Sequence, residues 1–131
     1  MINESFVELA IVQALKSTYP HKIGCVIFKG NKIISTGHNQ IRHCAKIPSK
    51  YKIYRDSLHA EQHAILNAPS RKSLKGASIL VIRINPNKKN LLLAKPCMMC
   101  YDFIEYIGIK KMYYSTQENT IKMEKISEYG I

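Results

Sequence analysis

Residues 77–84, ASILVIRI, form a nearly unbroken apolar run between Gly76 and the turn-like NPNKKN. Eight residues rich in isoleucine and valine, bounded by glycine and Asn-Pro, read as a strand rather than a helix. A strand with almost no polar position has no face for solvent, so it belongs inside a sheet covered by other elements.

The neighbouring segments supply that cover. Phe6, Leu9, Ala10, Val12 (or Gln13) and Leu15 recur at helical spacing over residues 3–18, with Asn3 as N-cap and Tyr19-Pro20 as terminator. KIGCVIFK (22–29) and KIISTG (32–37) flank Gly30-Asn31, the pattern of a β-hairpin. Ser57 is a candidate cap for a helix over about 58–68, which Pro69 ends. A helix over 97–107 follows Pro96 and stops at Gly108; KKMYYS (110–115) is a strand. TIKMEKI (120–126) alternates as a last strand, and the four-residue TQEN before it permits only an antiparallel return. Helix, hairpin, helix, strand, helix, strand, strand describes an α/β fold with a mixed sheet covered by helices. With no repeat, low-complexity tract or linker, residues 1–131 read as a single domain.

No apolar run approaches the roughly 20 residues of a membrane span, and MINESFVELA lacks the basic-then-apolar form of a signal peptide. The expected compartment is the cytoplasm, with no membrane partner. There Cys25, Cys44, Cys97 and Cys100 stay reduced, and a C-x-x-C pair reads as a metal or catalytic site. The net charge is +11, and no acidic residue occurs from Ala10 to Tyr54. Such a field suits phosphate-bearing partners, whether nucleotides or nucleic acid, or simply a solvated basic surface. HNQIRHCAKIPSKYKIYRDS (38–57) has no clean period, and a loop of that length is functional or disordered.

Two stretches carry chemistry, SLHAEQHAIL (57–66) and AKPCMMC (94–100), each opening a predicted helix. Cys97 and Cys100, spaced i, i+3, share one helical face. A helix start stabilises a thiolate through its dipole and free N–H groups. Two thiolates and the imidazole of His59 make a three-ligand zinc site with an open position, as catalytic sites have. Glu61, two residues beyond His59, can face that position without binding the ion and carry protons there.

His-x-Glu followed by Pro-Cys-x-x-Cys is the signature of zinc deaminases. Through HAE (59–61) and PCMMC (96–100) the chain resembles the cytidine and deoxycytidylate deaminase superfamily. The likeness runs from the hairpin through GIKKMYYS (108–115). It implies a cytidine-deaminase-like three-layer α/β/α fold with a mixed five-stranded sheet and helices on both faces. The deoxycytidylate and tRNA-adenosine deaminases that share His-Ala-Glu usually end in a helix and a parallel fifth strand, and the short TQEN connection departs from that with an antiparallel last strand. It also implies Zn2+ held by His59, Cys97 and Cys100, with Glu61 as proton shuttle. Asn39, in GHN, would contact the sugar, and the Ala60 N–H the pyrimidine carbonyl. His59 stands where free-cytidine deaminases usually have Cys, and Met98 where they have Gly. The wording of LLLAKPCMMC and GIKKMYYS looks most like small viral and phage deaminases of the deoxycytidylate type.

The implied reaction is hydrolytic deamination of cytosine to uracil, on a deoxycytidine nucleotide or nucleoside. Arg42, Lys46 and Arg55 in the basic loop are the candidates for holding a 5′-phosphate. Alternatives are a deaminase acting on single-stranded nucleic acid through the basic surface, and a nucleic-acid-binding module with structural zinc. A homo-oligomer is the expected assembly. His63 reads as a packed or hydrogen-bonded core histidine, because HAEQH places its Glu one position too late for a metalloprotease helix. Cys25 reads as a small core hydrophobe, and His43 and Cys44 as bystanders in the loop.

Overall fold

The computed structural model describes residues 2–41 and 57–126. Asn3 caps α1 (Glu4–Leu15), its side-chain oxygen accepting from Ser5 N at 2.9 Å. β1 (Lys22–Lys29) and β2 (Lys32–His38) pair antiparallel around Gly30-Asn31. β3 (Gln40–Ile41) and β4 (Ser57–Leu58) form a two-stranded ribbon at the two ends of the basic loop. Then come α2 (Ala60–Asn67), β5 (Ser78–Ile84), β6 (Leu91–Leu92), α3 (Met98–Ile107), β7 (Lys111–Ser115) and β8 (Ile121–Lys125).

The main sheet runs in the order β2-β1-β5-β7-β8, and the short β6 adds to the end of β5 as a sixth strand. Among the described strands only β5 and β7 are parallel, joined through α3; β8 returns antiparallel to β7. The apolar run at 77–84 is therefore the central strand, hydrogen-bonded on both sides. It is covered on both faces. Leu80, Ile82 and Ile84 pack with Phe6, Ala10 and Ala14 of α1, whereas Ile79 and Val81 join Ala64, Phe103 and Ile104 of α2 and α3. The architecture is the three-layer α/β/α arrangement implied by the resemblance.

Two local expectations change. The start of α2 moves: Ser57 pairs in β4, and α2 starts at Ala60 with His59 as N-cap. Gln62 makes that start possible, its Oε1 accepting from the His59 N–H at 3.0 Å. The buried face of α1 is also rotated. It consists of Phe6, Ala10, Gln13 and Ala14, while Val12 and Leu15 are exposed. The reason is a close backbone approach. A Cβ on Gly24 of β1 would lie 2.0 Å from the Ala10 carbonyl oxygen and 2.5 Å from Ala14 N, so the two alanines, rather than Val12 and Leu15, sit where the helix meets the strand.

Gly37 of β2 does the same for α2. A Cβ there would fall 2.4 Å from Ala64 N and 2.7 Å from Ala60 O. Gly37→Ala is expected to push α2 off the sheet and lower stability by about 1–3 kcal/mol, the usual range for overpacking. Thermal unfolding of the purified variant checks this; an unchanged melting temperature would mean that α2 is not seated through Gly37.

Candidate active site

Parallel β5 and β7 with α3 between them bring the start of α3 to the carboxyl end of β5, the edge where open α/β sheets bind ligands. α2 starts there too. His59 and Cys97 are the residues just before the two helices, both in extended backbone conformation, and Cys100 lies in the first turn of α3. His59 Nδ1 is 3.0 Å from Cys100 Sγ and 4.0 Å from Cys97 Sγ. All three ligand atoms lie within 4.8 Å of one another. One imidazole nitrogen and two sulfurs at that spacing fit a single tetrahedral zinc ion and leave its fourth position open.

Electrostatics show why the cluster suits a cation. The Cys100 thiol and His59, hydrogen-bonded to Cys97, pull the Cys97 pKa down to about 3. The same contact with Cys97, together with burial, pushes Cys100 well above the ordinary thiol range. A bound cation would favour the thiolate form of both sulfurs and release protons as it binds. The hydrogen bond to Cys97 also raises the His59 pKa, against the effect of burial.

Glu61 sits in the first turn of α2 and is only 5% exposed. Burial raises its carboxyl pKa above the usual range, and the neighbouring His59 partly offsets the rise. It lines a cavity of about 330 Å3 together with His59, Ala60, Cys97 and Asn39, a size within the range of small-molecule sites. Ala60 contributes the first N–H of α2, which has no intrahelical partner. The Asn39 amide is oriented by β1: its oxygen accepts from Ile23 N at 3.1 Å, and Nδ2 donates to His21 O at 2.7 Å. One Nδ2 hydrogen remains for a ligand.

The segment leading to Pro96-Cys97 is held by Ser115 of β7. Its buried hydroxyl accepts from Arg83 N at 3.0 Å and donates to Leu92 O at 2.5 Å, while its carbonyl accepts from Ala94 N. Arg83 lines the cavity as well. Neither residue stood out in the sequence, although a lone arginine inside ASILVIRI was the available signal.

Other expected residues fall elsewhere. His63 is a hydrogen-bonded histidine away from the sulfurs, with Nδ1 accepting from His38 N at 3.0 Å and Nε2 3.1 Å from Asn67 Nδ2. Cys25 is a fully buried core residue. Arg42, Lys46 and Arg55, with His43 and Cys44, lie outside the described residues. No helix among the described residues is long and apolar enough to cross a membrane.

The family described as the cytidine and deoxycytidylate deaminase zinc-binding region matches residues 1–116. The deoxycytidylate deaminase of Schizosaccharomyces pombe is 28% identical over 129 residues, covering 87% of this chain and 37% of that protein. The chain thus spans well under half the length of this relative. Among solved structures, the dCMP deaminase of cyanophage S-TIM5 in its apo form superimposes with a TM-score of 0.62 at 24% identity, covering 86% of this chain and 81% of that one. The cytidine deaminase of Burkholderia pseudomallei gives a TM-score of 0.69 at 17% identity, covering 96% and 94%. These two likenesses concern the fold. The match over residues 1–116, on a chain whose His59, Cys97 and Cys100 converge as a zinc-binding group, places this protein in the cytidine and deoxycytidylate deaminase family.

Proposed function

We propose that the protein hydrolyses the exocyclic amine of a cytosine base, consuming water and releasing ammonia and uracil, with a deoxycytidine nucleotide as substrate. The observation that carries this reading is the buried Glu61 carboxyl, which lines one cavity with His59 and Cys97, the two residues that converge with the buried Cys100. A purely structural zinc site has no use for such a carboxyl.

His59, Cys97 and Cys100 would hold the zinc ion, whose nitrogen and sulfur preferences match this donor set. When bound, the ion supplies the Lewis acidity that makes water nucleophilic near neutral pH. Glu61 does the proton work. Its raised pKa brings it nearer neutrality, where a group both accepts and returns a proton efficiently. It takes a proton from the attacking water, passes it to the base N3, and carries the second proton to the departing amine at C4. The Ala60 N–H would hold the pyrimidine carbonyl, and Asn39 the sugar. The nucleotide preference draws on the +11 charge and the similarity to a deoxycytidylate deaminase.

The test is ammonia release from cytidine, deoxycytidine, their monophosphates and a cytosine-containing oligonucleotide. The deoxycytidine monophosphate is expected to have the highest kcat/KM. Release from the oligonucleotide alone would reassign the protein to polynucleotide deamination, and release from none would overturn the enzymatic reading.

A further inference from the structure

On the face of β5 that meets α2 and α3, alternate residues are Ile79, Val81 and Arg83. The first two are buried in the core; the third is the point where that core gives way to the cavity. Arg83 stands opposite Ile23 of β1 and Leu92 of β6, both apolar, so strand pairing supplies it with no anion. Its guanidinium has five N–H donors and no acceptor. One, on Nη2, is given to His21 Nδ1 at 2.6 Å. Nε is buried and without a partner, and among the described residues no carboxylate forms an ion pair with Arg83; the ion pair found there joins Lys95 to Glu124 at 3.5 Å.

A cationic side chain on the wall of a cavity, with donors beyond the one given to His21 and no carboxylate partner, suits an anionic ligand. Around it the cavity has a consistent character. His21, Tyr19 and the ammonium-bearing Lys95 line it as well, and the carboxylate among its lining residues is Glu61, which the proposed chemistry occupies. His21 is tied to the nucleoside side of the site, because its carbonyl accepts from the Asn39 amide while its ring accepts from Arg83. Arg83 is thus linked through one residue to the proposed sugar contact.

Resting on the deaminase reading, we infer that Arg83, steadied by His21, is the subsite for the substrate's 5′-phosphate monoester. A guanidinium offers a phosphate two parallel donors and a full positive charge. The assignment moves the phosphate contact from the basic loop to the central strand of the sheet, where a rigid element sets its position.

Binding without turnover separates this inference from the deaminase reading itself. Zinc-loaded protein is titrated calorimetrically with deoxyuridine and with deoxyuridine monophosphate, the products of the proposed reaction, which the enzyme cannot deaminate. The wild type is expected to bind the monophosphate at least about tenfold more tightly, as for one charge-assisted hydrogen bond. Arg83→Gln should abolish that difference, and Arg83→Lys, which keeps the charge but not the fork, should retain part of it. Equal binding of the two ligands by the wild type would overturn the subsite without recourse to any variant, as would a full difference surviving in Arg83→Gln. So would an oligonucleotide displacing the monophosphate with the same dependence on Arg83. Ammonia release by the wild type stands apart from all of these outcomes and alone decides the reaction.

Discussion

Glu61→Gln is expected to lose most or all of the proposed deaminase activity while keeping its fold and its zinc. The amide has nearly the shape and polarity of the carboxylic acid, so the 5%-exposed site stays filled. It cannot accept a proton from water. Loss of general acid–base help costs typically about 10²–10⁴ in rate, and here one group serves every transfer, so the upper end of that range is expected. Metal content, the melting temperature and ammonia release are measured together. His63→Ala is the control on the same helix: its ring bonds to His38, Gln40 and Asn67 rather than to the sulfurs, so zinc and most of the rate are retained. An active Glu61→Gln would remove the proton-carrier assignment.

Cys97→Ala, Cys100→Ala and His59→Ala are each expected to fall from about one zinc per chain to a small fraction of that, because two protein ligands hold zinc far less well than three. Stability should fall with it. A ligand present at a hundred times its Kd stabilises the folded chain by about 2.7 kcal/mol, which for a chain of this size corresponds to a drop in Tm on the order of 10 °C. A chelator should reproduce the drop in the wild type and do nothing further to the variants. Full occupancy in Cys97→Ala and Cys100→Ala would show that the sulfurs are not ligands. The sign follows from the geometry: the folded chain holds the three ligand atoms within 4.8 Å of one another, an arrangement the unfolded chain lacks.

Much of this molecule is local in origin, and the local part was readable. The central strand, both hairpin strands, the cap at Asn3 and the antiparallel return to β8 follow from apolar period, turn residues and connection length. The zinc triad was readable because His-x-Glu and Cys-x-x-Cys are short-range patterns at helix starts, and a helix start positions its first residues almost unaided. Tertiary contact decided the rest. Which face of α1 is buried depends on Gly24 letting the Ala10 carbonyl approach, a distance that no property of α1 encodes. The start of α2 shifted because Ser57 found a strand partner in Ile41, a pairing across the basic loop that outweighs the capping preference of serine. Arg83 looked like one charge in an apolar strand. Its meaning came from strand register, which set it on the face shared with Val81 and carried it past the end of the core into the cavity beside His21. Ligand sets at helix termini are written in neighbouring residues, whereas a pocket wall is assembled from residues that only the sheet brings together.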